Sequence, residues 1–227
     1  MSPMINKSKE NGLLNIVLNI LLPTFILIKL SKDVYLGPTY GFCLALSFPL
    51  IYSAYSLIKH KTFNLMSVLG FVSILLTGGI GLLKIDSQWI AVKEAAVPAI
   101  IGLSLLFTYN SNFLPKMLSN LLDMKTITTA LEEANSLTLF ETAQKRALLG
   151  VVASFMVSAV LNFALAKVVI KSPSGSEAFA AELGKMTALS FPVIALPATI
   201  ILMGTIWFLV RKIHKLTNIP IEDLFII

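Results

Sequence analysis

Six stretches of this chain contain no Asp, Glu, Lys, Arg or His: residues 11–28, 34–58, 62–83, 95–115, 147–166 and 186–210. Each runs for 18 to 25 residues. A helix needs about 20 predominantly apolar residues to cross about 30 Å of hydrocarbon. The 18 Lys and Arg and the 12 Asp and Glu all fall between these runs. Hydrophobic residues make up 56% of the chain and charged residues 13%, against about 45–50% and about 25% in a soluble domain. A soluble fold would need six helices apolar on every side, with too little polar surface to cover them. The expectation is therefore an all-α, polytopic transmembrane helical bundle, one transmembrane domain over residues 1–227. Its six spans fall at about 11–29, 34–58, 62–83, 95–115, 139–166 and 186–210.

Lys7 and Lys9 precede the first run as in a signal peptide, but no small-x-small cleavage site follows, so an uncleaved first span is expected. Cys43 is the single cysteine; it can form no internal disulfide and is expected to act as a small buried apolar residue. With six spans, one side of the membrane holds eleven Lys and Arg and the other seven. Both termini are accordingly expected in the cytoplasm, in a multi-pass protein of the cell inner membrane. The basic clusters at 59–61 and 211–215 sit just beyond spans 2 and 6, where anionic lipid attracts them. This membrane-surface term accounts for the net charge of +6, and no nucleic acid is expected.

The longest loop, 116–146, has 31 residues, and an independent catalytic domain needs roughly 50. Within it, 116–138 is expected as an interfacial or cytoplasmic segment, with Leu114, Leu118, Leu121 and Leu122 at helical spacing. Thr129 with Glu132, and Thr138 with Glu141, match the capping box that opens a helix. Spans 1, 3 and 5 end alike, at Leu27-Ile28-Lys29, Leu82-Leu83-Lys84 and Leu165-Ala166-Lys167, so the chain can be read as three repeated helical hairpins.

Inside the apolar runs the polar and small residues form ridges at four-residue spacing. Asn11, Asn15 and Asn19 mark span 1; Gly41, Ala45, Pro49 and Ser53 span 2; Ser73, Thr77 and Gly81 span 3; Gly150, Ser154, Ser158, Asn162 and Ala166 span 5. In lipid, helices associate through small residues and interhelical hydrogen bonds. Asn15, Asn19, Ser154, Ser158 and Asn162 are thus candidates for a packed polar seam or for the lining of a solute cavity. Pro49, Pro98, Pro192 and Pro197 interrupt the even-numbered spans and are expected to kink them.

A second group gathers before spans 4 and 6: Asp86, Trp89, Lys93, Glu94 and Lys185. Trp89 and Lys93 share a helical face. They read either as a headgroup anchor or as a Lys–carboxylate pair at a cavity entrance. No inward set of Asp, Glu, His or Cys has metal-ligand spacing, and His60 and His214 lie in basic loops. Gly78-Gly79-Ile80-Gly81 precedes no phosphate-binding lysine and reads as close packing. No catalytic residue, cofactor or metal is expected, and the protein is not expected to be an enzyme.

The stretch from Gly78-Gly79-Ile80-Gly81 through Asp86, Trp89, Lys93 and Pro98 resembles the central hairpin of the intracellular septation protein A family, small multi-spanning bacterial inner-membrane proteins. Asn162, Phe179 and Lys185 resemble a second signature of that family, and Pro115-Lys116 with Leu118 fits it loosely. The resemblance covers about 62–210; Glu94 departs from it, standing where an uncharged residue is expected. It implies a role in cell envelope synthesis or septation through protein partners, with no catalytic residues. The partners expected are the lipid bilayer, other membrane proteins and a second copy of the chain. The ridges and prolines leave a small six-span transporter or channel, working as a dimer on a solute or lipid, as the alternative.

Overall fold

The computed structural model describes residues 17–60, 65–109, 116, 118–119 and 121–226. Among them the regular structure is helical, with a single isolated β-bridge between Leu122 and Phe225. Helix α1 covers 17–30, with π-type turns at Val17–Leu21 and Ile26–Leu30 on either side of a short α segment holding Pro23. Then come α2 (Gly37–His60), α3 (Leu65–Leu82), α4 (Gln88–Leu106), α5 (Met124–Glu133) and α6 (Leu137–Val169). The last helix, α7 (Glu177–Thr217), contains a π turn at Phe191–Ala195, around Pro192 and just before Pro197.

Three described helices are long and apolar enough to cross a membrane: Gln88–Leu106, Leu137–Val169 and Glu177–Thr217. No more than 28% of the apolar window in any of them is buried. What they leave exposed is greasy: Ile100 and Leu103 on α4, Val160 and Phe163 on α6, Ile200 and Met203 on α7. Apolar surface on this scale is what a lipid-facing helix presents.

Helix α4 begins and ends earlier than the fourth apolar run. It takes in Lys93 and Glu94, and residues 107–109 form a turn. Counting uncharged residues excluded that pair, but side-chain charges that satisfy each other need not end a helix. Helix α7 likewise extends past both ends of the sixth run, from Glu177 to Thr217.

The helices pack as two compact units, one of Met1–Glu94 and Asn162–Phe191, the other of Ala95–Leu161 and Pro192–Ile227. In the first, α1 packs against α2 and against the Glu177–Ser190 part of α7, and α2 packs against α3. Phe42 and Phe179 meet at its centre, ring centroids 6.0 Å apart. Ala45 is fully buried, as the span 2 ridge implies, whereas Cys43 is exposed rather than buried. With Phe42 and Ala45 turned inward, the 3.6-residue period carries Cys43 to the other side.

The second unit has a core of Leu118, Leu122, Ile127, Leu131, Phe140, Leu148, Leu209, Val210, Ile213 and Leu224. Leu118 and Leu122 therefore pack inside it, while Leu121 is exposed. The C-terminal segment closes over this core: Asp123 N donates to the Leu224 carbonyl and Ile226 N to that of Leu121. Helix α5 starts at Met124, capped by Asp123, not at the Thr129 capping box. Thr129 sits mid-helix and bonds the Lys125 carbonyl. Thr138 likewise lies inside α6 and does not open it. An aspartate is as good an N-cap as threonine, and Asp123 accepts from Thr126 N at 3.2 Å and Thr126 Oγ1 at 2.6 Å.

Those two hydrogen bonds hold the Asp123 carboxyl below its ordinary value of 3.8. A lowered folded-state pKa gives stability that is present above 3.8 and is lost as pH falls through the lowered value. The protection of the Thr126 amide against hydrogen exchange should fall in that window, and in Asp123→Asn, which has no carboxylate to titrate, it should not.

Candidate functional site

Helices α3 and α4 form a hairpin joined by 83–87. Its turn follows from local chemistry. Lys84 takes the left-handed conformation (φ 53°) as α3 ends, and Ile85 N reaches back to the Ile80 carbonyl, the pattern of a Schellman cap. Asp86 Oδ1 accepts from Gln88 N at 2.9 Å and so satisfies one of the free amides that open α4.

Lys93 follows in the second turn of α4 and points into the hairpin. Its side chain is 7% exposed. The ammonium donates to Thr77 Oγ1 at 2.8 Å and Ser73 Oγ at 3.1 Å, and pairs with Glu94 Oε1 at 2.6 Å. Three donors thus meet three acceptors, which is all a lysine can use. Thr77 and Ser73 lie five and nine residues before the end of α3, or about 7 and 13 Å along a helix rising 1.5 Å per residue. The charge therefore sits well inside the hairpin.

The group Asp86, Trp89, Lys93, Glu94 and Lys185 divides. Asp86, Trp89 and Lys185 are exposed, while Lys93 is buried and Glu94 half-buried. Trp89 is 57% exposed, while Lys93 one turn later is buried. Ser73 and Thr77 were visible as a ridge in the third run; that the ridge serves Lys93 was not, since the two lie 16 and 20 residues away from it.

The second polar group lies on α6. Ser154 is buried and donates to the Ala198 carbonyl at 2.8 Å. One turn earlier, Gly150 lies so close to Thr205 that an added Cβ would stand 2.8 Å from its Cγ2. Ser158 and Asn162 are half-buried, and each is engaged by a partner. Asn15 and the side chain of Asn19 lie outside the described residues.

A third feature had only an indirect signal in the sequence. An open depression of about 670 Å³ lies where the 83–87 turn meets the end of α6 and the following loop. Lys84, Asp86, Gln88, Lys167, Lys171 and Ser174 line it. Lys84 and Lys167 are the two lysines that end spans 3 and 5 alike, and it is that repetition that could have pointed here. Among the described residues no cluster of three or more His, Cys, Asp or Glu could hold a metal ion.

Comparison of the chain with protein-family models, with curated proteins and with solved structures finds no match. The resemblance to the septation family rests on the residues quoted for it.

Proposed function

We propose that this chain is a six-span, multi-pass protein of the bacterial inner membrane, with both termini in the cytoplasm. It acts without catalysis, as a packed scaffold for other membrane proteins of the cell envelope, the septation role that the resemblance implies. Three spans have the length and apolarity required. At 24 and 18 residues, α2 and α3 overlap most of the second and third uncharged runs, and most of α1 falls in the first. The observation that carries the scaffold reading is the closed seam on α6. Ser154 spends its proton on the Ala198 carbonyl, and Gly150 admits Thr205 to near-backbone contact. A seam of this kind holds helices together in lipid, which supports the scaffold reading.

Cysteine accessibility tests it. In a Cys43→Ser background, Ser154→Cys and Asn162→Cys should resist membrane-impermeant thiol reagents from both sides. Labelling from one side and then the other, under different solute conditions, would overturn the scaffold.

One observation favours a second reading, a small transporter: an ammonium held inside an apolar hairpin is the default mark of an ion or proton path. Flux of solute through proteoliposomes, abolished by Lys93→Met, is the result that would replace the scaffold with a carrier.

A further inference from the structure

The depression at the loop end of the first unit carries three ammonium groups, on Lys84, Lys167 and Lys171, and one carboxylate, on Asp86. Among the described residues none of these lysines lies within ion-pair distance of a carboxylate. Asp86 is committed through Oδ1 to the Gln88 amide. Lys167 gives one proton to Gln88 Oε1 at 2.8 Å, which leaves two. With Asp86 fully counted, the lining residues hold two positive charges in excess; the Glu182 carboxylate, just behind the Lys171–Ser172 backbone, offsets part of the Lys171 charge and leaves a net excess of between one and two.

Ser174 is the independent observation. It lines the same depression and is 9% exposed, and its hydroxyl is buried with no hydrogen-bond partner. Buried hydroxyls are rarely left this way. Its loop is pinned in place: Glu182 accepts from Lys171 N and Ser172 N at 2.9 Å and from Ser172 Oγ at 2.8 Å. The opposite wall leans on it. Gly175, at φ +81°, has so little room that a Cβ would meet Lys84 Cγ at 3.1 Å.

We infer that this depression binds a phosphate-bearing anion. Lys84, Lys167 and Lys171 take its oxygens, and the Ser174 hydroxyl, which lies just beneath the surface without a partner, turns outward to donate to one of them. An excess of one to two positive charges suits a phosphate group, which carries one charge as a diester and between one and two as the free ion, and lysine is a common phosphate ligand. The volume exceeds that of a bare ion and falls in the range of small-ligand sites. Free phosphate and a phospholipid headgroup share this chemistry. The inference goes beyond the scaffold reading and stands on the first unit alone.

The test uses the purified full-length chain in two arms. In detergent it is titrated calorimetrically with inorganic phosphate, against chloride at equal ionic strength. In mixed bilayers of phosphatidylglycerol and phosphatidylcholine, retained lipid is read by native mass spectrometry. One of the two phosphate probes should bind. Lys167→Gln with Lys171→Gln should weaken it roughly tenfold, the worth of a charge-assisted hydrogen bond, and Ser174→Ala about threefold. Lys84→Gly should also weaken it while keeping the turn, since glycine adopts φ 53° without strain. Saturable uptake of inorganic phosphate identifies a free-phosphate site, and selective retention of phosphatidylglycerol a headgroup site. The inference is overturned if neither probe binds above its control or if the variants bind as wild type does. Loss in the lysine variants with Ser174→Ala unaffected marks a diffuse basic surface and overturns it too.

Discussion

Lys93→Met should lower the thermal midpoint of the detergent-solubilised protein by roughly 6–12 °C, equivalent to about 3 kcal/mol in a chain of this size. Methionine nearly matches the lysine stem in volume, so packing survives and only the charge is lost. What remains is Glu94, whose side chain is 25% exposed, with its ammonium partner gone. Breaking a buried pair from one side costs about 3–5 kcal/mol because the surviving charge is stranded. The lower end applies here, since water or headgroups can still reach part of the Glu94 carboxylate. Ser73 and Thr77 lose much less. Both are neutral, and Thr77 also bonds the Ser73 carbonyl. The decisive comparison is the double variant Lys93→Met with Glu94→Gln. Removing both charges should restore most of the midpoint, because a neutral pair has no desolvation penalty. A double variant as unstable as the single one, or a single variant that melts like wild type, would show that the pair is not what holds this part of the hairpin.

Gly41→Ala should be nearly as damaging, although it adds only one methyl group. A Cβ on Gly41 would lie 2.7 Å from Ser31 Cα and in contact with the Ser31 hydroxyl. Ser31 is fully buried at the end of α1, and its amide is bonded to the Ile26 carbonyl at 3.0 Å. A backbone atom held in this way cannot step aside, as the tip of a long side chain could. The strain therefore falls at the upper end of the range for overpacking, about 3 kcal/mol. Gly79 is the matched control. It sits in the last turn of α3, and an added Cβ would meet nothing within 4 Å. Gly79→Ala should leave stability unchanged or raise it by up to about 1 kcal/mol, the helix preference for alanine over glycine. Thermal midpoints of the two variants, measured side by side, check both. Equal effects would mean that neither glycine acts through close approach.

These two glycines show where sequence reasoning reaches its limit. Both lie in spans with a visible small-residue pattern. Gly41 begins a ridge with Ala45 and Pro49, and all three are buried. Gly79 belongs to the run Gly78-Gly79-Ile80-Gly81, which reads as close packing as a whole. Within that run Gly81 is pressed hardest, against the Phe42 ring, Gly78 stands close to the tip of Leu46, and Gly79 faces open space. Four-residue spacing identifies a face, because side chains one turn apart lie above one another. A cluster of consecutive glycines spreads around the helix and identifies none.

The Asp86–Trp89–Lys93–Glu94 group shows a different limit. Its residues stand close in sequence, and that proximity suggested a common task at the membrane surface. The hairpin separates them. Trp89 faces outward, Lys93 faces Ser73 and Thr77, and Asp86 lines a depression with lysines from another helix. Trp89 and Lys93 share a helical face, but the long lysine side chain can bend away from its neighbour to hydroxyls on the adjoining helix, so its partners are set by whatever helix lies beside it.

What the chain determined by itself is its class. Uncharged runs long enough to cross hydrocarbon leave only a helical solution, because every backbone amide in lipid must find its partner within its own segment. The same local chemistry marked the buried faces of α2 and α6. Only tertiary structure decided where the charges went. Lys93 came to rest between two hydroxyls on α3, and Lys84, Lys167 and Lys171 gathered around Ser174 from elements more than 80 residues apart. Apolar periodicity records a residue's preference for lipid or protein. The pairing of a charge depends on a second segment brought near it, and that distance is written nowhere along one strand of sequence.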